Sequence, residues 1–317
     1  MSRSFHRRAG RWFGLSLALI AVNAIVSGVH AGDAQQYFPT VGQAMDTLLA
    51  AAKAGDAETL ASVFGPGSEE ILSSGDPVAD ETARAQFVEA AQARICFERP
   101  EPDRILFSIG VDDWPFPIPL VKDDAGWRFD AAAGKEEILN RRIGRNELNA
   151  IAVARAYVDA QEEYAASDPS GEGVRQYAQR ILSSPGAKDG LYWPAEENEP
   201  ESPFGPLIAA AVDQGYQPGE SARPEPYYGY YFRPLTVQGD SAPGGARNYI
   251  EDGRMTRGFA LIAYPAEYGN SGIMTFLVNN RDIVFQKDLG DDTRAIAGEI
   301  TEYAPDKTWE PVTEPDS

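Results

Sequence analysis

Between Val41 and Ala54 the apolar residues Val41, Ala44, Met45, Leu48 and Leu49 recur at the i, i+3, i+4, i+7, i+8 spacing of one helical face. Gly55 follows as a stop, because glycine takes the left-handed conformation that ends helices without a Cβ penalty. Asp56 is a capping residue and predicts a second short helix through Leu60 and Phe64, closed by Gly65. A third helix is expected from about Glu81 to Ile95, carrying Phe87 and several alanines. The pattern then changes to strands at Arg104 to Val111 and Gly126 to Asp130, the second entered through a turn at Asp123-Asp124-Ala125-Gly126. Pro115, Pro117 and Pro119 stand at alternate positions between them. Proline has no N–H for a ladder, so this stretch is expected at an edge or as a polyproline-like segment, not in a central strand.

A long helix is predicted from about Lys135 to Ala166, with Ile138, Leu148, Ile151, Ala154 and Val158 among its apolar contacts, and Asp168-Pro169-Ser170-Gly171 ends it. A shorter helix is expected over Val174 to Leu182. Residues 183–226 hold eight prolines and an acidic cluster at Glu196, Glu197, Glu199 and Glu201, and read as loops around one helix from Pro206 to Gln214. The remainder is β-rich: Tyr228 to Val237, Gly258 to Tyr264, Gly272 to Asn279 and Ile283 to Lys287, the last two joined by the polar turn Asn280-Arg281-Asp282. A helix near Asp292 to Tyr303 closes the chain. This order predicts an α+β fold in two units. Residues 36–132 supply helices and a small antiparallel sheet, and residues 133–312 a long helix, a proline-rich loop region and an antiparallel β domain.

The N-terminus adds an address. Arg3, Arg7, Arg8 and Arg11 precede an apolar run from Phe13 to Val26 and the small-residue end Val29-His30-Ala31, the layout of a secretory signal cleaved after Ala31. The apolar run is about 14 residues, short of the roughly 20 that a spanning helix needs. The expected product is periplasmic or secreted, with no membrane span after cleavage. Residues 1–31 carry both histidines, four of the 28 basic residues and none of the 48 acidic ones, which leaves 24 against 48, a formal charge of −24. A histidine-free chain excludes Ser-His-Asp and Cys-His sites and His-containing zinc centres. Cys96 stands alone, so no Cys-rich metal site or intrachain disulfide forms, and its apolar neighbours suggest a small buried hydrophobe. The acidic field repels nucleic acid, and no phosphate-binding loop or dinucleotide fingerprint is present.

Within these limits a few residues carry candidate chemistry. Asp112, Asp113 and Trp114 set an aromatic plate beside two acids, which suits a sugar or a cation; the plainer reading packs Trp114 in the first core with the acids at a strand-end turn. Arg142 and Arg145, with Arg247, are candidates for an anion, against the plainer role of surface ion pairs, and Trp193 joins the ligand-binding set. Asp288, Asp291 and Asp292, around Gly290, offer hard oxygen ligands to calcium, without the spacing of an EF-hand. Paired carboxylates drawn from Asp112, Asp113, Glu136, Glu137 and Glu147 are the one route to hydrolysis left open.

The stretches Gly110-Val111-Asp112-Asp113-Trp114-Pro115-Phe116-Pro117-Ile118-Pro119-Leu120 and Arg142-Ile143-Gly144-Arg145-Asn146-Glu147-Leu148 resemble a family of exported bacterial proteins catalogued as domain of unknown function 2950. So do Lys188-Asp189-Gly190-Leu191-Tyr192-Trp193-Pro194, Gly229-Tyr230-Tyr231-Phe232 and Pro265-Ala266-Glu267-Tyr268-Gly269-Asn270-Ser271-Gly272. The resemblance covers nearly the whole mature chain and implies export but no activity. At the level of fold, the first unit is similar to the cone-shaped cystatin-like or nuclear-transport-factor class. The second is similar to the globular part of type IV pilins and pseudopilins, although the helix here is charged where a pilin's is apolar. The expected function is a non-catalytic envelope protein that binds a protein partner or small ligand. A pseudopilin-like component of a secretion or pilus-type apparatus and a carboxylate-dependent hydrolase are the alternatives.

Overall fold

Side-chain caps start three helices in the first half of the chain. The computed structural model describes residues 35–169, 171, 173–195, 201–217 and 225–313; the expected signal peptide and Glu196, Glu197 and Glu199 lie outside them. Thr40 Oγ1 accepts the Gln43 N–H at 3.2 Å and opens α1 (Val41–Ala54), which Gly55 ends at φ +66°. Asp56 caps α2 (Ala57–Phe64) by accepting the Thr59 N–H at 3.1 Å. After the single turn of α3 (Glu69–Leu72), Asp76 caps α4 (Pro77–Ala93), and Pro77 sits where a helix lacks an N–H partner anyway. Helix α4 therefore begins four residues earlier than Glu81, where its apolar pattern first becomes visible. It ends before Ile95, which opens a sheet instead.

That sheet is antiparallel in the order β1 (Ile95–Glu101), β2 (Arg104–Ile109), β3 (Trp114–Asp123), β4 (Gly126–Phe129). Ile105, Phe107, Ile109, Ile118, Leu120 and Phe129 form one core with Leu48, Leu60 and Phe64 of α1 and α2. Cys96, expected in that core, is half-buried, with Arg94 Nε 3.1 Å from its Sγ. The proline-rich stretch belongs to β3, which lies between β2 and β4 and so corrects the edge assignment. The ladder explains how prolines are tolerated there. Strand β4 pairs only with Leu120 to Asp123, and the register against β2 slips between Ile105 and Phe107. The carbonyls of Pro115 and Pro119 point away from β2, accepting from Arg141 Nη1 at 3.1 Å and the Asp130 N–H at 2.9 Å. The prolines thus occupy the part of the strand whose second side has no ladder partner.

Helix α5 (Ala131–Ser167) is 37 residues, about 55 Å at 1.5 Å per residue. Its first turns belong to the first core through Ala131 and Ile138; from Ala150 onward Val153, Ala154, Tyr157 and Val158 belong to a second core. The helix is thus shared by two lobes. Near its start Gly134 lets it approach β3 closely, since a Cβ there would meet Ile118 Cγ1 at 2.7 Å and Pro117 O at 2.8 Å. Asp168 ends it at φ +43°.

Residues 174–182 are not the expected helix: the segment is irregular and ends in β5 (Arg180–Leu182), which pairs in parallel with β6 (Gly190–Tyr192). Helix α6 (Gly205–Asp213) follows, then β7 (Tyr230–Leu235) and the short pairs β8 (Val237–Gln238) with β9 (Arg247–Asn248) and β10 (Ile250–Glu251) with β11 (Arg254–Met255). The main sheet of this lobe is antiparallel in the order β15 (Glu310–Pro311), β14 (Phe285–Asp288), β13 (Met274–Asn279), β12 (Ala260–Pro265), β7. Leu261, Ile262 and Ala263 are all buried although successive side chains point to opposite faces, so β12 is covered on both. Helix α5 and the short α7 (Thr293–Glu299) both pack on this strand. With seven helices and mainly antiparallel sheets among the described residues, the protein is α+β.

Candidate functional site

Helix α4 decides where the first lobe is hollow. Its lining residues Ala79, Ala83 and Ala90 are small, with the half-buried Phe87 between them, and leave a gap against the sheet that opens to solvent at the exposed Ala83. Ala91 alone on this helix is buried. The result is a cavity of about 400 Å³. Leu48 and Ala52 of α1, Leu60 and Phe64 of α2, Ile109, Phe116 and Ile118 of the sheet and Ile138 of α5 complete an apolar interior.

The polar lining comes from Ser74, Asp80, Arg84 and Gln86 of the first lobe and from Arg142, Arg145 and Asn146 of α5. Arg142 is tied down: Nη1 donates to Glu70 O at 2.7 Å and to Asn270 Oδ1, and Nη2 donates to Ile71 O at 3.0 Å. Burial pulls this guanidinium below the usual arginine value, and the Asp80 carboxylate pushes it back up. Asp80 itself accepts the Ser74 N–H at 3.1 Å and the Ser73 hydroxyl at 3.2 Å. Arg84 and Arg145 differ from Arg142, for neither has a hydrogen bond or ion pair among the described residues. Asn146, 2% exposed, donates Nδ2 to Ser271 O at 3.0 Å while its Oδ1 has no partner among the described residues.

Arg142 and Asn146 also belong to the contact between the lobes. Asn270 Nδ2 donates to Ser73 O at 3.0 Å and to Glu267 Oε2 at 2.7 Å, and Glu147 Oε1 accepts the Ile273 and Met274 N–H groups at 3.0 Å each. Asp76, 1% exposed, accepts from the Ala79 N–H at 3.1 Å, the Tyr216 hydroxyl at 2.8 Å and the Gly229 N–H at 2.9 Å. One carboxylate thereby caps α4 and holds the entry to β7. Four of the stretches that carry the family resemblance meet here. Residues 110–120 wall the cavity, and Arg142, Asn146 and Glu147 grip the 265–274 loop beside Gly229.

The other sequence candidates fall elsewhere. Trp114, 45% exposed, lines the cavity, and the Arg141 guanidinium lies over its ring at 4.8 Å. Asp112 is an exposed turn residue and Asp113, at φ +53°, pairs with Arg94 at 3.4 Å, so the acids and the plate do not form one site. Arg247 is on the second lobe near the Gly244 turn, apart from Arg142 and Arg145. Trp193 is part of the second core, edge-on to Tyr164 at 6.3 Å. A more polar hollow of about 320 Å³ lies close by, lined by Tyr164, Tyr177, Arg180, Lys188 and Asp189, and Trp193 does not line it. Asp288 accepts from the Gly290 N–H at 2.8 Å and the Tyr268 hydroxyl at 3.2 Å. Among the described residues no three His, Cys, Asp or Glu side chains cluster to hold a metal ion, so Asp288, Asp291 and Asp292 do not converge on one.

Asp76, Asp80, Arg84 and Asn146 were not among the sequence candidates. The Asp76-Pro77 pair was a legible helix start, and with it Ala79, Ala83, Phe87 and Ala90 become one face of α4. No curated protein and no solved structure matches the chain. The model of the family described as protein of unknown function (DUF2950) matches residues 35–312, which takes in both lobes and their common helix, and the chain belongs to that family.

Proposed function

We propose that this is a non-catalytic binding protein of the cell envelope that takes a small, largely apolar molecule into the cavity of the first lobe. The observation that carries the reading is the cavity itself. Its 400 Å³ falls within the roughly 300–1,000 Å³ of small-molecule sites, and such sites join apolar walls to a few placed polar groups. The apolar side chains that line it, Leu48, Leu60, Phe64, Ile109 and Ile118 among them, are otherwise buried core residues, so a molecule entering from solvent meets the core of the lobe directly.

The chemistry of the lining supports binding over turnover. Asp80 is the one carboxylate among the lining residues and is engaged by Ser73 and Ser74, whereas acid–base hydrolysis of this type needs two. Of the acids considered for hydrolysis, Asp113 faces Arg94, Glu137 pairs with Arg141 at 2.6 Å, and Glu147 holds two backbone N–H groups. Envelope location rests on the N-terminal signal pattern.

Trp114 provides the test, because it lines the cavity while Trp127, Trp193 and Trp309 are buried away from it. A neutral apolar probe such as N-phenyl-1-naphthylamine is expected to bind with about 1:1 stoichiometry and to change Trp114 emission. The double substitution Ala79→Phe, Ala83→Phe is expected to abolish binding with the far-ultraviolet circular dichroism unchanged. If the filled variant keeps its fold and still binds the probe, the cavity is not the site.

A further inference from the structure

Resting on that reading of the cavity, we infer that the ligand is an amphipathic monoanion, a carboxylate on an apolar body of about ten to twelve carbons, whose head lies between Arg84 and Arg145. The size follows from the volume. At about 30 Å³ for each water-sized group, 400 Å³ holds roughly a dozen such groups. The sign of the head follows from the charges in the lining. Asp80, Glu70 and Glu267 all act on Arg142, whose charge is thereby balanced within the protein, and the charges left over among the lining residues are those of Arg84 and Arg145.

Arg142 and Asp80 already have partners in the protein. Arg84 and Arg145 do not, among the described residues, although the chain carries 48 acids that would pair with exposed arginines. Arg84 comes from α4 and Arg145 from α5, so the two approach the cavity from different walls. A guanidinium presents a planar fork of donors matched to a carboxylate, and two forks from two sides fix the head while the alkyl body enters the apolar interior.

The experiment is a calorimetric titration with dodecanoate, 1-dodecanol and dodecyltrimethylammonium, each below its critical micelle concentration, against the wild type and the Arg84→Gln, Arg145→Gln variant. The carboxylate is expected to bind about 10- to 100-fold tighter than the alcohol, as for one or two charge-assisted contacts at about tenfold per 1.4 kcal/mol. The double variant should lose that preference and keep the affinity for the alcohol. If the alcohol binds as tightly as the acid, or the ammonium binds best, the anion assignment fails while the cavity reading stands. If none of the three binds, the cavity reading itself fails. Preferential cosedimentation with phosphatidylglycerol vesicles over binding of free dodecanoate would make the head that of a bilayer lipid and overturn the free-acid assignment.

Discussion

Replacing Asp76 tests whether one buried carboxylate joins the two lobes. It satisfies three donors, the Ala79 N–H, the Tyr216 hydroxyl and the Gly229 N–H, and the side chain is 1% exposed. Asp76→Ala leaves all three without an acceptor. Each buried orphan costs about 1–3 kcal/mol, and the loss of an N-cap alone is typically about 1 kcal/mol. Against this, the variant no longer has to bury a charge, which returns part of the loss. Three orphaned donors at about 1–3 kcal/mol each, less what is recovered from the buried charge, give an expected cost of about 3–5 kcal/mol. Asp76→Asn keeps the shape but must turn an NH₂ group toward one of the donors and weakens bonds that charge had strengthened, for a cost of about 2–3 kcal/mol. Tyr216→Phe removes one donor to Asp76 and also the acceptor of the Tyr228 N–H at 3.2 Å, and should cost about 1–2 kcal/mol. Urea unfolding followed by circular dichroism and tryptophan emission gives all three values from the midpoints. An order other than Ala, then Asn, then Phe, or an Asp76→Ala cost below about 1 kcal/mol, would refute the reasoning.

Two glycines on α5 should respond oppositely to the same substitution. Gly144→Ala meets nothing within 4 Å and should stabilise by up to about 1 kcal/mol, whereas Gly134→Ala drives a Cβ into Pro117 O and Ile118 and should destabilise by about 1–3 kcal/mol; equal melting shifts would contradict the close approach. Alkaline pH should unfold the protein cooperatively. Burial raises the hydroxyl pKa of Tyr157, Tyr230 and Tyr303, so their contribution is fully present below about pH 10, where tyrosine in an unfolded chain ionises, and is lost as pH rises from there toward the folded values. Tyr157→Phe should flatten the alkaline limb of a stability–pH curve by up to about 1.4 kcal/mol per pH unit, and an unchanged slope would count against its burial as the cause.

Much of the fold was legible because its signals are local. Thr40, Gly55 and Asp56 bound α1 and α2 through their own caps, and Gly215 and Asp168 mark ends in the same way. The failures came where backbone groups find distant partners. The 174–182 segment has helix-like apolar spacing, but Gln161 takes both the N–H and the carbonyl of Ala178 at 2.8 Å each, and the Tyr177 N–H goes to Met255 O at 2.7 Å. A helix there would have to give up all three. The candidate site was half legible for the same reason. Arg142 and Arg145 stand one turn apart on a helix that sequence reasoning found, whereas Arg84 joins them only because α4 and α5 close on one cavity across some sixty residues of chain. Nothing in the local pattern separates the tethered Arg142 from the unpaired Arg145, because the carbonyls that hold Arg142 come from Glu70 and Ile71.

The prolines of β3 also bear on how the molecule behaves at high concentration. A strand with an unpaired side is a template for another chain, and natural sheets blunt such edges to avoid aggregation. Between Trp114 and Leu120 three N–H groups are missing by covalent structure, and the carbonyls of Pro115 and Pro119 already have donors. An incoming strand would find almost nothing to pair with along that side. Helix α5 covers the same side, with Gly134 close to Pro117 O and Arg141 bonded to Pro115 O, so a partner strand is excluded twice, by missing donors and by the helix that stands in its place.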